Sequence, residues 1–289
     1  MKSKKRFPVK QAKSAGLLLL VFIAFMSCSP KEKTIDSKPL NLSFSQYSEF
    51  VKDTFYIDVQ LPKTYFEDSS KAFSAVYLLD GNFYTPIVAP IQHQYEETGL
   101  LDPKILISIS YKDFKSMDSL RVRDYLYPKS IASDGMEAPG GGQNFKSYIT
   151  NELIPMIDAE FRTGKHDRTL VGHSFGGYFV LYALHDQLEN NETHFKSFIS
   201  ASPTLWYNDF YLNRLPEALR KRNKNLNLFL TVGGDEHPEW SVKPVIDFSN
   251  QIKEQEIKEF KFINRVYNNL GHMDTGLISY IKGLQELKK

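Results

Sequence analysis

The sequence contains a single cysteine, Cys28, so the chain cannot close an internal disulfide. Its 289 residues are enough to bury a substantial core without one. It has no internal repeat and no low-complexity tract, which excludes solenoids and propeller arrays. It lacks a membrane span where one would be sought first. The apolar run at 17–26 is ten residues long, against the roughly 20 a bilayer requires. The body of the chain also lacks a basic excess. Six Lys/Arg and no Asp/Glu fall within residues 1–27, so the remainder carries 30 basic and 34 acidic side chains, a formal charge of −4. That balance leaves no electrostatic footprint for nucleic acid.

The basic stretch at 2–13, the apolar run and the small residue Ser27 before Cys28 form the three regions of an export signal. "FMSC" resembles the lipobox of bacterial lipoproteins, whose cysteine is acylated after cleavage. The expectation is a lipoprotein-type signal peptide over 1–27, a flexible tether over 28–43 and a folded domain over 44–289. The chain would then be exported to the bacterial cell envelope and anchored through a lipid on Cys28. An ordinary signal peptide cut nearby is the alternative.

Beyond residue 43, short β-rich apolar runs alternate with helical patterns. "FYIDVQLP" (55–62) alternates as a strand does. "FSAVYLLD" (73–80) and "KILISIS" (104–110) are near-continuous apolar runs, as strands buried on both faces are. Helical spacing over 144–161 places Tyr148, Leu153, Ile157 and Phe161 on one side. Further strands are expected at 168–174, 195–202, 226–233 and 261–267, and helices at 175–188, 210–222, 242–255 and 273–287. The rhythm predicts an α/β fold, a mostly parallel central sheet with helices on both faces. Residues 111–143 read as one long loop at a strand's end, where open α/β sheets bind ligands.

Gly172-His173-Ser174-Phe175-Gly176 fits G-x-S-x-G, with a strand before it and a helix after. In that context the serine is expected on a strained elbow, its oxygen projecting outward as a nucleophile. A serine hydroxyl needs a base, and in this chain order the base comes after the last strand. His272, in "NLGHMDTG", stands there. An acid should follow the strand "LNLFLTVG" and orient the imidazole. Gly-x-x-acid spacing from Gly233 selects Glu236, with Asp235 as the alternative. Oxyanion donors are expected from the backbone N–H of Phe175 and from Asn82 or Phe83 in the turn "DGNFY". Arg121 and Arg123 either bind an anionic oxygen of a substrate or tie the long loop down. Trp206 either stacks on an aromatic acyl group or covers the site. The acidic cluster 235–237 lacks the spaced second histidine of common zinc sites, so no metal or cofactor is expected.

Together "VYLLDGN", "RVRDYLYP", "RTLVGHSFGGYFVLYAL", "ASPTLWYN", "LFLTVGGDE" and "LGHMDTG" resemble the esterase D-like group of the α/β-hydrolases, over about residues 44–287. That group includes feruloyl and acetyl-xylan esterases of carbohydrate esterase family 1 and bacterial trilactone siderophore esterases. "RDYLYP" and "SPTLWY" look most like the siderophore branch. The resemblance implies an α/β-hydrolase fold, Ser174 as nucleophile and His272 as base, and leaves the acid open because members differ there. The expected function is a serine esterase acting on a small-molecule ester, with a catecholate siderophore as the first substrate class. The alternatives are a feruloyl or acetyl esterase of plant polysaccharide and a non-catalytic ligand-binding lipoprotein.

Overall fold

Alternate residues of the central strands point to opposite faces, and each face has its own core. Val76, Leu78, Leu106, Val171 and Ile199 are buried against Tyr84 and Val88 on one side and Tyr280 and Leu284 on the other. Ala75, Tyr77, Ile107, Leu170 and Phe198 face the opposite layer, which is rich in aromatics such as Phe145, Tyr178 and Phe179. The computed structural model describes residues 39–221 and 225–288. The expected signal peptide, most of the expected tether and Cys28 lie outside the described residues.

From Pro39 onward the chain forms one unit. Its strands are β1 (Asn41–Ser48), β2 (Asp53–Gln60), β3 (Phe73–Leu78), β4 (Lys104–Ser110), β5 (Thr163–His173), β6 (Ser197–Ala201), β7 (Asn227–Gly233) and β8 (Lys261–Tyr267). They form one eight-stranded sheet in the order β1-β2-β4-β3-β5-β6-β7-β8. β1 and β2 pair antiparallel, as do β2 and β4, and every later pairing is parallel. The helices are α1 (Gly81–Glu97), α2 (Phe114–Tyr125), α3 (Gly142–Tyr148), α4 (Ile154–Glu160), α5 (Phe175–Glu189), α6 (Tyr207–Phe210), α7 (Leu215–Lys221), α8 (Lys243–Glu254) and α9 (His272–Lys288). α1 and α9 cover one face, and α5 packs on β5 and β6 from the other. This is the α/β-hydrolase arrangement that the sequence predicts.

Four local expectations need correction. β1 begins at Asn41, inside the expected tether, so the fold starts earlier than residue 44. The turn "DGNFY" is the first turn of α1, which carries Pro86 and Pro90 inside it. The loop expected over 111–143 holds α2, whose N-cap Asp113 accepts the N–H of Ser116 at 2.7 Å. The single helix expected over 144–161 is interrupted by a wide π-type turn, Ile149–Leu153. Pro155 follows at once and has no N–H to continue the α pattern.

The glycines of the elbow are not equally constrained. A β-carbon at Gly172 would lie 2.3 Å from the carbonyl oxygen of Gly176, and one at Gly177 would lie 2.6 Å from that of Ala201. At Gly176 the nearest atom would be a carboxylate oxygen of Asp80, at 3.2 Å. Gly172→Ala and Gly177→Ala should each destabilise the protein by about 1–3 kcal/mol or more through overpacking against backbone. Gly176→Ala should cost less. Thermal unfolding of the three variants checks the ranking, and equal midpoints would contradict it.

Candidate active site

β5 ends at His173, and Ser174 follows with φ 61° and ψ −121°, a conformation sparsely populated by residues with a side chain. The Ser174 N–H donates to the carbonyl of Ala201 at 2.9 Å, which ties the elbow to β6. α5 begins at Phe175, so that residue's N–H belongs to a helix's unpaired first turn, at the positive end of its dipole. Asn82 is the second residue of α1, so its N–H also lies in an unpaired first turn. Its side chain exchanges two hydrogen bonds with the backbone of Tyr111, which fixes that turn. Phe83 is excluded as an oxyanion donor, because its N–H already donates to the carbonyl of Asp80 at 2.9 Å. Phe175 and Asn82 therefore remain as the candidate backbone donors.

His272 opens α9. Its Nδ1 lies 2.7 Å from Glu236 Oε2, and the Glu236 side chain is almost wholly buried. The other carboxylate oxygen of Glu236 accepts from Gly233 N–H at 2.8 Å and from the Ser202 hydroxyl. Burial opposes ionisation of Glu236. The hydrogen bonds from His272, Ser202 and Gly233 outweigh it and hold the carboxyl below its ordinary range. Of the two acids left open in the sequence, Glu236 reaches the imidazole, whereas Asp235 is exposed and donates its backbone N–H to the carbonyl of Leu270. Ser174 and His272 line one cavity of about 260 Å³, walled by Phe83, Tyr84, Phe114 and Met117.

His173 is a residue whose role the sequence did not announce. Its Nε2 donates to the carbonyl of His272 at 2.8 Å, and the two rings lie 4.5 Å apart. The contact fixes the backbone that presents the candidate base. Burial, followed by the nearby His272 and Arg121, pushes the His173 ring down to about 3, so it stays neutral and keeps a defined donor. An unfolded histidine titrates near 6.5. The folded group therefore stabilises the protein fully above that pH, and the contribution falls as pH drops toward 3, by up to about 1.4 kcal/mol per pH unit. His173→Asn should give a shallower loss of stability between pH 6.5 and 5, read from urea midpoints. An unchanged slope would mean that the ring is not held neutral.

Both arginines are paired with carboxylates. Arg121 Nε and Nη2 clamp the carboxylate of Asp80 at 3.0 and 2.8 Å, and Nη2 also donates to the carbonyl of His173 at 3.1 Å. Its guanidinium lies over the rings of Phe175 and Tyr125. It lines the cavity with its charge matched by Asp80. Arg123 pairs with Asp124 at 2.7 Å and with Asp53 at 2.8 Å, joining α2 to β2. It does not line the cavity. Trp206 lies past the end of β6, edge-on to Trp240 at 6.5 Å, and is also absent from the cavity wall.

A doubly layered α/β sheet with a strained serine between β5 and α5, and a carboxylate–imidazole pair at the same end, defines an α/β-hydrolase. Residues 48–273 match the family described as "Putative esterase", and the chain belongs to that family. It is similar to the "Ferri-bacillibactin esterase BesA" of Bacillus subtilis, with 29% identity over 62% of this chain and 65% of that protein. It is also similar to the "Siderophore enterobactin esterase" of Emericella nidulans, with 32% identity over 54% of this chain and 55% of that protein. The alignments thus span roughly half to two thirds of these relatives' own lengths. Among solved structures, the BES protein from Bacillus cereus superposes with a TM-score of 0.75 at 25% identity. That match covers 88% of this chain and 97% of the other.

Proposed function

We propose that this protein is a serine esterase that cleaves small-molecule carboxylic esters through an acyl-enzyme, with Ser174, His272 and Glu236 as its triad. The observation that carries the reading is the positive-φ elbow at Ser174 sharing a cavity with a histidine bonded to a buried glutamate. Ser174 Oγ attacks the ester carbonyl while His272 Nε2 takes its proton. Glu236 holds Nδ1–H and stabilises the imidazolium. The N–H groups of Phe175 and Asn82 receive the developing oxyanion. His272 then gives the proton to the leaving alkoxide, and the alcohol departs. A water, deprotonated by the same imidazole, attacks the acyl-serine. The acid is released and the Ser174 hydroxyl restored.

The proposed substrate class is a catecholate siderophore ester. The names of the curated relatives and the aromatic wall of the cavity support it. A mass-spectrometric panel of a cyclic trilactone of 2,3-dihydroxybenzoylserine, methyl ferulate, acetylated xylan and S-formylglutathione tests it. The trilactone should give the highest kcat/KM, and a higher value for any of the others would overturn the substrate class. The proposal also anchors the protein in the cell envelope through a lipid on Cys28, on the strength of the leader pattern in residues 1–28. Cys28→Ala should move the protein from the detergent phase to the aqueous phase of a Triton X-114 partition, and an unmoved distribution would contradict the anchor.

A further inference from the structure

We infer that Trp206 and Trp240 form an aromatic shelf that holds one aryl group of the substrate, while the cavity beside α1 and α2 takes another. This rests on the esterase reading above and names how its site selects a substrate. Among the described residues, the three most exposed large hydrophobic side chains are Trp240 at 58%, Phe114 at 57% and Met273 at 55%. They follow β7, β4 and β8 respectively, so all three stand at the end of the sheet where Ser174 lies. Apolar side chains more than half exposed at one end of the sheet mark a surface built for contact.

Trp240 is not among the described side chains packed on either core, and its ring contact is with Trp206. It sits in a π-type turn, Pro238–Val242, that contains no buried residue. The turn is held from below by the His237 ring, whose Nδ1 accepts the N–H groups of Glu239 and Trp240 at 3.3 and 3.2 Å. Trp206 meets it edge-to-face, at 82° between the ring planes. Both residues hang from the segments that carry the triad acid. Trp240 is four positions past Glu236, and Trp206 is four past Ser202, whose hydroxyl donates to Glu236. In the sheet, β6 and β7 lie on one side of β5 and its Ser174, whereas β3 and β4, which lead into α1 and α2, lie on the other. An ester at Ser174 therefore has an aromatic surface available on each flank.

The charges point the same way. Among the described residues, Arg121 is the one lysine or arginine lining the cavity, and Asp80 already neutralises it. Recognition of a substrate arm must then come from stacking and dispersion on its rings, not from an ion pair. The indole face is well suited to that contact.

The test compares a linear ester of two N-(2,3-dihydroxybenzoyl)serines with its counterpart carrying acetyl in place of each aroyl group. Trp240→Ala should raise KM for the aroyl ester about five- to tenfold, the worth of one aromatic contact, with kcat little changed. The acetyl counterpart should be unaffected. Trp206 and Trp240 are the chain's two tryptophans, so fluorescence excited beyond the tyrosine absorption band reports on the shelf alone. Titrating the Ser174→Ala variant with the aroyl ester should quench that fluorescence, and the acetyl ester should not. Quenching without turnover by the wild type would support the shelf and sink the esterase reading. Turnover of the aroyl ester without quenching, or an equal rise in KM for both esters, would overturn the shelf. A spectral shift on phosphatidylglycerol vesicles with no response to the ester would overturn it too and assign the pair to a lipid surface.

Discussion

Ser174→Ala is expected to lower ester hydrolysis by about ten thousand- to a million-fold, the loss seen when a triad nucleophile is removed while oxyanion donors and binding remain. The same position offers a second readout. Its backbone φ of 61° strains any residue with a β-carbon, and such strain costs about 1–3 kcal/mol. Alanine retains that carbon, so Ser174→Ala should unfold close to the wild-type midpoint. Ser174→Gly should be equally inactive yet no less stable than the alanine variant, because relief of the strain offsets glycine's larger loss of entropy on folding. A glycine variant clearly less stable than the alanine one would show that the elbow stores no strain. A fully active Ser174→Ala would remove the nucleophile.

The second large effect lies in the clamp behind the elbow. Asp80 is buried, adopts a left-handed conformation at the N-terminus of α1, and has its carboxylate bound by two nitrogens of Arg121. Arg121→Ala would leave that carboxylate without its cation, a change that costs about 3–5 kcal/mol where one partner of a buried pair is removed. Replacing both partners together, as Asp80→Asn with Arg121→Met, should cost much less. Asparagine tolerates the left-handed backbone, and no unpaired charge remains. Urea unfolding of the two variants separates the cases. A rise in KM for the arginine variant without loss of stability would restore Arg121 to the substrate.

Much of this site was legible in one dimension. The parallel strands declared themselves as short apolar runs, and the serine by its place between a strand and a helix. His272 is singled out by chain order and by the motif "LGHMDTG" in which it stands. The missing pieces share a cause. α1 carries two prolines within its span, so its helical pattern was broken in the sequence, although Val88 and Ala89 still face the core. Only Met117, Asp124 and Tyr125 are buried in α2, too sparse an apolar face to register against a polar background. β1 lies at the sheet edge, and its outward residues Asn41 and Ser43 read as tether. The pairing of Arg121 with Asp80 spans 41 positions, and that of His173 with the His272 carbonyl spans 99. No local pattern encodes such contacts. The choice of Glu236 over its neighbour likewise depended on which side chain the turn after β7 directs inward.

The central claim is that the hydroxyl at 174 is a nucleophile activated by the imidazole at 272. Reaction with a fluorophosphonate, followed by peptide mass spectrometry, measures that directly. The account predicts one adduct per chain, located on Ser174, formed far more slowly in His272→Ala and absent in Ser174→Ala. An adduct on another residue, or labelling at an unchanged rate without His272, would contradict it.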